Sequence, residues 1–359
     1  MTDRADAGPA LPDTAPALRV DDLTVELDRA HSPAQLVTDV SFDIRPGEMV
    51  GLVGESGSGK SLTASAVAGL LPRGVRLAGG RIELAGQVVD GDGVRTQRRD
   101  SLAMVFQNPM TSLNPSMRVG DQVAEALRTR RKGMSRRDAR KRAVQILDDV
   151  GIDRAAERAR QYPFEFSGGM RQRVMIAIAV AGDPSVLIAD EPTTALDVTV
   201  QQGVMDLIDR LRRDLGLAIL LVSHDLALVS ERCDRLLIMY AGELVETGKT
   251  SAVLGDALHP YVNALARCIP ERAIELGTIR SLPGSVPQPG QIASGCRFLP
   301  RCSFGVDACA GHHPPLAEHV PGRNVRCLRA GEPALAEDPE DRVPTPVPTQ
   351  VPMEKDADA

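Results

Sequence analysis

A glycine-rich loop between an apolar run and a helix-forming segment constrains this fold more than any other feature. The apolar run covers residues 49–53, and the helix-forming segment covers residues 61–71. Glycines in such a loop let successive backbone N–H groups surround an anion, and the N-terminus of the following helix adds partial positive charge. The loop matches the pattern G-x-x-x-x-G-K-[ST] at every fixed position; its residues are Gly54, Glu55, Ser56, Gly57, Ser58, Gly59, Lys60 and Ser61.

The last two residues of the loop carry the chemistry that a nucleoside triphosphate requires. In loops of this pattern the lysine reaches the β- and γ-phosphates, and the hydroxyl of the next residue coordinates Mg²⁺. We therefore predict that Lys60 and Ser61 hold a nucleoside triphosphate and its metal ion. The alternative is an ordinary glycine-rich turn before a helix, which does not explain why the strand, the loop and the Lys-Ser pair occur together.

An aliphatic run that ends in two acidic residues predicts the second half of the site. Residues 186–189 have the composition of a buried parallel strand and place Asp190 at its carboxyl end, where it can hold Mg²⁺ through water. Glu191 is then positioned to polarise an attacking water as a general base. Taken alone, the run would be better explained as a strand that ends in a solvated acidic turn. Strands that alternate with helices predict an α/β sheet with its site at the carboxyl ends of the strands.

Composition and charge favour a globular chain without a membrane span. The 359 residues are 43% apolar and 25% charged, and aromatic residues make up only 3%, so the core must be aliphatic. The net charge of −6 provides no overall field that would favour nucleic acid or an anionic membrane. No apolar run approaches the ~18–20 residues of a membrane-spanning helix, and the first residues lack the pattern of a signal peptide. These features predict a cytosolic chain that reaches a membrane only through partners.

One helix in the middle of the chain can be predicted from its periodicity. Ser135 and Asp138 have the spacing of a capping box, and Gly151 is a stop signal. The apolar residues between them lie at i, i+3, i+4 and i+7 and so share one face; they are Ala143, Ile146, Leu147 and Val150. The basic run over residues 128–142 is explained as the solvated face of this helix, and a nucleic-acid or lipid patch is the alternative.

A Ser-Gly-Gly turn before a helical run makes the prediction more specific. Residues 166–173 read Phe-Ser-Gly-Gly-Met-Arg-Gln-Arg. This run resembles the signature motif of the ATP-binding cassette (ABC) family, commonly LSGGQ, with Phe and Met substituted. Other elements of that family follow in order between residues 54 and 225, which is far more specific than any single motif. Gln107 matches the Q-loop and His224 the switch histidine, while the D-loop is matched by Ala195, Leu196 and Asp197.

The resemblance implies a fold and an assembly. ABC cassettes are α/β proteins that combine a P-loop ATPase core, built on a mixed sheet, with an α-helical subdomain, which would cover about residues 107–181. Two cassettes face each other head to tail, so that Ser167, Gly168 and Gly169 would contact the γ-phosphate of ATP bound to the partner's P-loop. The resemblance also places Asp197 of the D-loop in the nucleotide site.

The resemblance also implies catalytic roles. His224 would contact the γ-phosphate and help to hold Glu191 and the attacking water. Gln107 would sense Mg²⁺ and link the site to a membrane partner. Because Glu191 and His224 are both present, the cassette is expected to hydrolyse ATP. One residue departs from the family pattern: Leu27 occupies the place near the first strand where an aromatic residue usually stacks on adenine, so the group that stacks on adenine stays open.

Several further segments resemble the cassettes of oligopeptide and dipeptide importers (Opp/Dpp type). They are residues 107–115, 239–246, 259–261 and 295–302, and the likeness covers about residues 18–330. It implies ATP-powered uptake of oligopeptides or dipeptides, at the cytoplasmic face of the membrane. The implied partners are a second ABC ATPase subunit (homologous or identical), two integral-membrane permease subunits and, indirectly, an extracytoplasmic peptide-binding protein, with no nucleic acid. Uptake of nickel or glutathione is an alternative, and a soluble non-transport ABC ATPase is a more distant one.

Four C-terminal cysteines have the number of thiolates that Zn²⁺ or an iron–sulfur cluster requires. Their spacing is C-x5-C-x6-C-x17-C, whereas common zinc modules use closer C-x2-4-C pairs; they are Cys296, Cys302, Cys309 and Cys327. The spacing resembles the C-terminal module of peptide-importer cassettes, in which a [4Fe-4S] cluster can be held. Zn²⁺, reduced cysteines and disulfide bonds are the alternatives. Cys233 and Cys268 lie outside this spacing and are expected to be buried thiols.

These features divide the chain into four predicted parts. Its length suggests about two ordered domains, at roughly 150 residues each. A linker rich in Pro, Gly and Ser covers residues 282–295 and separates them. The parts are a disordered lead-in over residues 1–17, the ABC nucleotide-binding domain over 18–281, the four-cysteine module over 282–332, and a Pro-rich acidic tail over 333–359 that is expected to be disordered.

Overall fold

Two β-sheets and a set of helices form the protein, for which a computed structural model describes residues 15–28, 34–89, 101–107, 112–131, 133–194, 196–269, 282–289 and 294–332. The strands are β1 (Leu18–Leu27), β2 (Ala34–Ile44), β3 (Met49–Val53), β4 (Val75–Leu84), β5 (Gln87–Val88), β6 (Leu102–Val105), β7 (Val186–Asp190), β8 (Ala218–Ser223), β9 (Arg235–Tyr240), β10 (Glu243–Lys249), β11 (Ala317–Val320) and β12 (Arg323–Val325). The predicted strand over residues 49–53 therefore forms as β3, and the one over residues 186–189 forms as β7 with one more residue.

The helices fall between these strands and after them. They are α1 (Lys60–Ala68), α2 (Val119–Arg130), α3 (Arg136–Asp149), α4 (Ala155–Arg158), α5 (Gly168–Val180), α6 (Val198–Leu215), α7 (Leu226–Arg232), α8 (Thr250–Gly255), α9 (Pro260–Arg267) and α10 (Asp307–Gly311). Short 3₁₀ turns occur at Pro163–Glu165 and Leu299–Arg301. The helix predicted over residues 61–71 is too long, because Gly69 adopts φ +71° and caps α1 after Ala68.

The larger sheet is mixed and positions the site. Its order is β11-β12-β10-β9-β3-β8-β7-β6. From β9 to β6 all neighbouring strands are parallel, whereas β10, β12 and β11 continue the sheet in antiparallel fashion. The second sheet, β2-β1-β4-β5, is antiparallel throughout. Because parallel strands share one carboxyl edge, the segments that follow β3, β6, β7 and β8 lie close together.

The parallel strands are buried on both faces, as their aliphatic runs require. Alternate residues of β8 belong to different cores: Leu220 and Val222 pack towards the antiparallel sheet and α1, while Ile219 and Leu221 pack towards the helices. Both cores consist mainly of Val, Leu, Ile and Ala, as the scarcity of aromatic residues predicts. The helical segment from α2 to α5 contributes its apolar face to the core that contains Ile219 and Leu221.

The periodicity of α3 predicts its buried face correctly. Ala143, Ile146 and Leu147 are buried, and Val150 caps the helix before Gly151, which has φ +78°. Ser135 Oγ accepts the backbone N–H of Asp138 at 3.1 Å, as in a capping box. The second hydrogen bond differs from that of a capping box, because the Asp138 carboxylate accepts the hydroxyl of Ser135, at 2.6 Å, and not its backbone N–H. The described basic residues of the run 128–142 are exposed or half-buried, which fits a solvated face.

Both ends of the described chain are tied into the sheets. Ala17 is 1% exposed, and its N–H donates to the Ile44 carbonyl at 2.8 Å, so ordered structure begins within the predicted lead-in. Residues 1–14 and the tail from 333 onward lie outside the described residues. The C-terminal segment extends the larger sheet, because β12 pairs with β10. No helix within the described ranges has the length and hydropathy needed to cross a membrane.

Candidate active site

The candidate site lies at the carboxyl edge of the larger sheet. The loop of residues 54–59 follows β3, and the acidic pair Asp190 and Glu191 ends β7. Gln107 and His224 come directly after β6 and β8. The sheet therefore brings together four segments that are far apart in the sequence, as the alternation of strands and helices predicts.

Left-handed glycines shape the phosphate-binding loop. Gly57 has φ +81°, and Gly59 has φ +105° where it caps the N-terminus of α1. The φ of Gly59 would strain any larger residue there, whereas the contact that its Cβ would make, 2.8 Å from Met239 Cε, is with the end of a flexible side chain. Ser56 and Gly57 are exposed at the tip of the loop, whereas Ser58 is fully buried and its carbonyl accepts the Gly242 N–H at 2.8 Å.

The side chain of Lys60, the first residue of α1, points back into this loop. It is 6% exposed, and its Nζ donates to the carbonyls of Gly54 and Glu55 at 2.8 and 2.9 Å. Burial lowers its pKa from the usual value, and the carboxylates of Glu191, Asp190 and Glu55 act in the opposite direction. The ammonium group is therefore held among acidic side chains and backbone oxygens, at the place where phosphate oxygens are expected.

Ser61 and Asp190 present adjacent oxygen atoms at the same edge. Ser61 Oγ donates to Asp190 Oδ1 at 3.1 Å. Burial raises the pKa of Asp190, and the hydrogen bond from Ser61 opposes this effect. A hydroxyl and a carboxylate are the hard oxygen ligands that Mg²⁺ prefers. The donor set thus fits the magnesium site predicted from the sequence.

Glu191 is the centre of a hydrogen-bond network. Its Oε2 accepts Gln107 Nε2 at 2.8 Å and Thr194 Oγ1 at 2.9 Å, and its Oε1 lies 3.0 Å from His224 Nδ1. Burial on its own would raise the pKa of Glu191, but the hydrogen bonds from His224 and Thr194 bring it below the usual value. The carboxylate is therefore ionised, and His224 donates to it. Thr194 has no motif signal in the sequence.

The signature and D-loop residues lie elsewhere, against one another. Ser167 and Gly168 are exposed at the N-terminus of α5, and Ser167 Oγ accepts the Met170 N–H at 3.4 Å. Asp197 caps α6, where it accepts the Val200 N–H at 2.9 Å. A Cβ atom on Gly168 would meet Leu196 at 3.4 Å, and one on Gly169 would meet Val200 at 2.3 Å. Ala195 lies outside the described residues.

Two contacts to Glu55 could not be predicted from motifs. Its backbone N–H donates to the hydroxyl of Tyr261 at 3.0 Å, and its carboxylate pairs with Arg301. Arg301 is 246 positions away in the chain. Leu27, at the place expected to stack on adenine, is half-buried at the end of β1 and pairs with Ala34 and Val75.

The C-terminal cysteines gather around one cavity. Cys296, Cys302, Cys309 and Cys327 all line it, and none of these four forms a disulfide bond within the described residues. Burial raises the pKa of Cys302 to about 12 and that of Cys327 to about 11. Within the described ranges, no group of three or more His, Cys, Asp or Glu side chains is arranged to hold a metal ion.

The two remaining cysteines differ from each other. Cys233 is buried as expected, and burial raises the pKa of its thiol. Cys268 is only half-buried, and its thiol donates to the Ala264 carbonyl at 3.3 Å, so the prediction of a buried thiol is wrong there. Neither lines the four-cysteine cavity.

Comparison with protein families identifies two regions. Residues 37–194 match the ABC transporter family, and residues 245–309 match the C-terminal region of oligopeptide/dipeptide transporters. A putative peptide import ATP-binding protein of Brucella abortus is 45% identical over 317 residues, covering 88% of this chain and 95% of its own length. The oligopeptide transport ATP-binding protein AppD of Bacillus subtilis is 43% identical over 316 residues, covering 87% and 96%.

Solved structures with the same fold are also ABC cassettes. The cassette MJ0796, in a dimeric post-hydrolysis state with ADP and Pi, is 28% identical with a TM-score of 0.58, and the match covers 65% of this chain and 98% of that one. The cassette cbiO1 of Clostridium perfringens is 25% identical with a TM-score of 0.59, covering 73% and 98%. The predicted α/β fold of a P-loop ABC ATPase is thereby confirmed. The chain belongs to the ABC transporter family, as an ATP-hydrolysing cassette of the peptide-importer group.

Proposed function

We propose that this chain binds to two permease subunits at the cytoplasmic face of the membrane and hydrolyses ATP to drive uptake of oligopeptides or dipeptides. The observation that carries the proposal is the meeting of Lys60 and Ser61 with Asp190, Glu191 and His224 at one sheet edge. The relatives that match nearly the whole chain are named as peptide import or oligopeptide transport proteins. Their names support the choice of peptide as the solute.

The loop and the N-terminus of α1 would bind the phosphates. Backbone N–H groups of residues 54–61 and the Lys60 ammonium would hold the β- and γ-phosphates, and the helix N-terminus favours the negative charge. Ser61 and Asp190 would hold Mg²⁺, which neutralises phosphate charge when it is bound. Their oxygens already lie 3.1 Å apart. Lys60 Nζ gives two of its three N–H groups to carbonyls, so the third can donate to a phosphate oxygen.

Glu191 would activate the attacking water. Because its carboxylate is ionised, it can accept a hydrogen bond from water and take the proton as the oxygen attacks the γ-phosphorus. Gln107, Thr194 and His224 fix the direction of the carboxylate through their hydrogen bonds. His224 is 60% exposed, so its ring is free to contact the γ-phosphate from the solvent side.

A second cassette would complete each site. Ser167, Gly168 and Gly169 contact the D-loop side of their own chain, and not its phosphate-binding loop. Ser167 and Gly168 are exposed at the start of a 13-residue helix, whose N-terminus can bind an anion. Head-to-tail pairing would bring this end, together with Asp197, to the ATP of the partner. The partner is a second copy or a related ABC ATPase.

The permease contact is proposed for a groove between β6 and the helical segment. Its lining includes the apolar residues Met104, Phe106, Met117 and Ile178, and Phe106 is 43% exposed. Phe106 immediately precedes Gln107, which donates to Glu191. A cytoplasmic helix of the permease in this groove would therefore contact Phe106, and the residue next to Phe106 is hydrogen-bonded to Glu191. Residues 108–111 of the Q-loop segment lie outside the described ranges.

The four-cysteine cavity is the proposed site of a [4Fe-4S] cluster. Four thiols, from residues up to 31 positions apart, line one space, and four thiolates are the donor set of such a cluster. Zn²⁺ is the alternative occupant, although common zinc modules use closer C-x2-4-C pairs. Because burial raises the pKa of Cys302 and Cys327, loading would release protons. Anaerobic purification with iron and acid-labile sulfide analysis tests this, and an iron content near zero would contradict it.

The transport proposal is tested by purifying the Glu191→Gln form from detergent-solubilised membranes in the presence of ATP. We expect two permease subunits and a second cassette to co-purify, identified by mass spectrometry, because ATP-bound cassettes that cannot hydrolyse stay closed. Lys60→Ala, which loses phosphate contacts, is the matched control for ATP dependence. Uptake of a radiolabelled tripeptide by cells, with nickel and glutathione as competitors, then distinguishes the solute. Purification without any membrane protein would contradict the transport role.

A further inference from the structure

Arg301 connects the four-cysteine segment to the phosphate-binding loop. Its Nη1 and Nη2 atoms donate to Glu55 Oε1 and Oε2 at 3.0 and 3.1 Å. Two parallel hydrogen bonds between a guanidinium and a carboxylate fix orientation as well as position. The side chain of Arg301 is 5% exposed and that of Glu55 is 28% exposed, so water competes little for the pair.

The Arg301 side chain is itself held on several sides. Its Nε donates to the Pro283 carbonyl at 2.8 Å, and Nη1 also reaches the Tyr240 hydroxyl at 3.4 Å. The guanidinium lies 5.7 Å from the centre of the Tyr240 ring, in cation–π contact. Its backbone N–H donates to the Phe298 carbonyl at 2.9 Å. Because these contacts fix the Arg301 side chain, it can hold Glu55 in one position, which a flexible arginine on the surface could not do.

A second arginine of the same segment supports the other end of the loop. Arg297 Nη1 donates to the Ala241 carbonyl at 2.6 Å. The next residue, Gly242, donates its N–H to the Ser58 carbonyl at 2.8 Å. Both Glu55 and Ser58 are thus held by groups that depend on the segment of residues 296–302.

The wall of the four-cysteine cavity is continuous with this support. Phe298 lines the cavity and packs against Tyr240 and Tyr261, with ring centres 5.2 and 5.4 Å apart. The Tyr261 hydroxyl accepts the backbone N–H of Glu55. Cys302, which immediately follows Arg301, lines the same cavity. A rearrangement of the cavity that moves residues 298–302 must therefore move the partners of Glu55.

We propose that Arg301 is a positioning residue for the phosphate-binding loop, and that through Arg301 the packing of the residues that line the four-cysteine cavity sets the affinity for ATP. The phosphates are held by backbone N–H groups, whose directions change when the loop shifts. Glu55 is the second residue of the loop, so its bidentate pair fixes the loop where the phosphates enter. The inference rests on the nucleotide role of the loop and does not depend on which group the cavity holds.

The first experiment is a double-mutant cycle on the full chain. The Kd for ATP is measured by displacement of a fluorescent ATP analogue from wild type, Arg301→Gln, Glu55→Gln and the double variant. We expect each single variant to weaken ATP binding about tenfold, which is 1.4 kcal/mol and within the worth of a charged hydrogen bond. The double variant should be no more than about twofold worse than either single variant, because both remove the same pair.

Two further variants separate positioning from loss of structure. Arg212→Gln removes an ion pair with Asp209 on α6, in which both side chains are 17% exposed, away from Glu55 and its partners. It should lower the melting temperature and leave the Kd for ATP within about twofold of wild type. Arg301→Lys keeps the charge but not the two parallel bonds, so its Kd should lie between wild type and Arg301→Gln. It also carries the test if Arg301→Gln does not fold.

The outcomes of the cycle are distinguishable. An unchanged Kd in folded Arg301→Gln, with normal binding by wild type, overturns the inference and leaves the ATPase role intact. Losses that multiply to about a hundredfold in the double variant would show that Arg301 and Glu55 act independently, which also overturns it. A wild-type chain without ATP binding would instead contradict the nucleotide role of the loop.

The second experiment tests the connection to the cavity. Cys309→Ser changes the cavity but lies seven positions from Cys302. We expect it to weaken ATP binding about fivefold in the wild-type background and to have no further effect in Arg301→Gln. Glu231→Gln, at an exposed site on α7 and outside the cavity, is the control and should have no effect in either background. An equal loss in both backgrounds, or no loss in the wild-type background, would overturn the coupling through Arg301.

Discussion

The backbone at Glu191 departs from the conformation that most residues adopt. Its φ is +46°, in the left-handed region that is costly for any residue with a Cβ atom. The neighbouring strand and the following turn hold it there, since its N–H donates to the Val222 carbonyl and its carbonyl accepts the Thr194 N–H. Strain of this kind concentrates at functional sites. Here it directs the carboxylate towards Gln107 and His224.

Replacing Glu191 with Gln should stop hydrolysis without preventing ATP binding. The amide cannot take a proton from water, and general-base catalysis contributes typically 10²–10⁴-fold. We therefore expect turnover in the assembled transporter to fall by about that factor, with the Kd for ATP within about twofold of wild type. Release of phosphate and fluorescence titration measure the two quantities. Glu231→Gln, at an exposed site on α7, is the control; normal turnover in Glu191→Gln would refute the base.

The hydrogen bond from Thr194 should be visible in the pH dependence of turnover. This bond helps to keep the pKa of Glu191 below its usual value, and the base works only when it is deprotonated. Activity should therefore persist as pH falls through the usual range of a glutamate and be lost only below it. Thr194→Val removes the hydroxyl at nearly constant volume and should move the acid limb of the kcat profile to higher pH. An unshifted limb would show that Thr194 does not tune the base.

At the scale of elements, close packing of α5 on α6 fixes the signature turn. Gly169, in the first turn of α5, faces Val200, in the first turn of α6. Asp197 caps α6 beside this contact. The exposed start of α5 is therefore built on the segment that follows Glu191. This arrangement packs the signature and D-loop residues against each other.

Gly169→Ala should destabilise the fold because the added Cβ would lie 2.3 Å from Val200 Cγ1. Valine in a helix has essentially one rotamer, so the helices must separate. We expect a loss of about 1–3 kcal/mol in the free energy of unfolding, the usual cost of overpacking. Gly168→Ala is the matched control, since its Cβ would lie 3.4 Å from Leu196, in ordinary contact. Equal stability of the two variants in urea unfolding would argue against the packing explanation.

At the scale of the whole molecule, a buried charge pair attaches the C-terminal segment to the sheet. Arg323 Nε and Nη2 donate to Glu246 Oε1 at 2.9 and 2.6 Å, and Glu246 is fully buried. Glu246 also accepts the backbone N–H groups of Leu258 and His259. Burial raises the pKa of Glu246, and the bond from Arg323 opposes this. One carboxylate thus joins β10, β12 and the start of α9.

Arg323→Gln should cost about 3–5 kcal/mol of stability, because it leaves Glu246 buried without its counter-charge. Urea unfolding of the full chain measures this. Arg76→Gln removes a pair with Glu26 in which the arginine is 54% exposed, and it should cost less than about 1 kcal/mol. A loss for Arg323→Gln no larger than that of Arg76→Gln would mean that the C-terminal segment contributes little to the fold.

Ser167→Arg should separate ATP binding from turnover. Ser167 is exposed and remote from its own phosphate-binding loop, so the Kd for ATP of the isolated chain should stay within about twofold of wild type. In the assembled transporter the larger side chain would keep the partner's γ-phosphate from α5, and turnover should fall by at least about a hundredfold. Light scattering of Glu191→Gln with and without Ser167→Arg measures ATP-induced pairing. Unchanged turnover would contradict a site shared between two cassettes.

Local motifs were sufficient to predict which segments meet at the candidate site. The unit from β3 through the loop to α1 is contiguous, and left-handed glycines and a helix N-terminus act over a few residues. Asp190 and Glu191 follow a strand whose burial is evident from its aliphatic run. Their meeting with Lys60 follows from the rule that parallel strands share a carboxyl edge.

The residue types and spacing of the phosphate-binding loop, the acidic pair and the four thiols were thus determined by the sequence alone. Only the tertiary structure decided what supports these residues: Arg301 on Glu55, Thr194 on Glu191, and β12 beside β10. These contacts depend on how distant elements pack, and neither periodicity nor spacing carries that information. The physical reason is that a motif encodes local backbone geometry, whereas a buried ion pair forms only where the whole fold brings two charges together and excludes water.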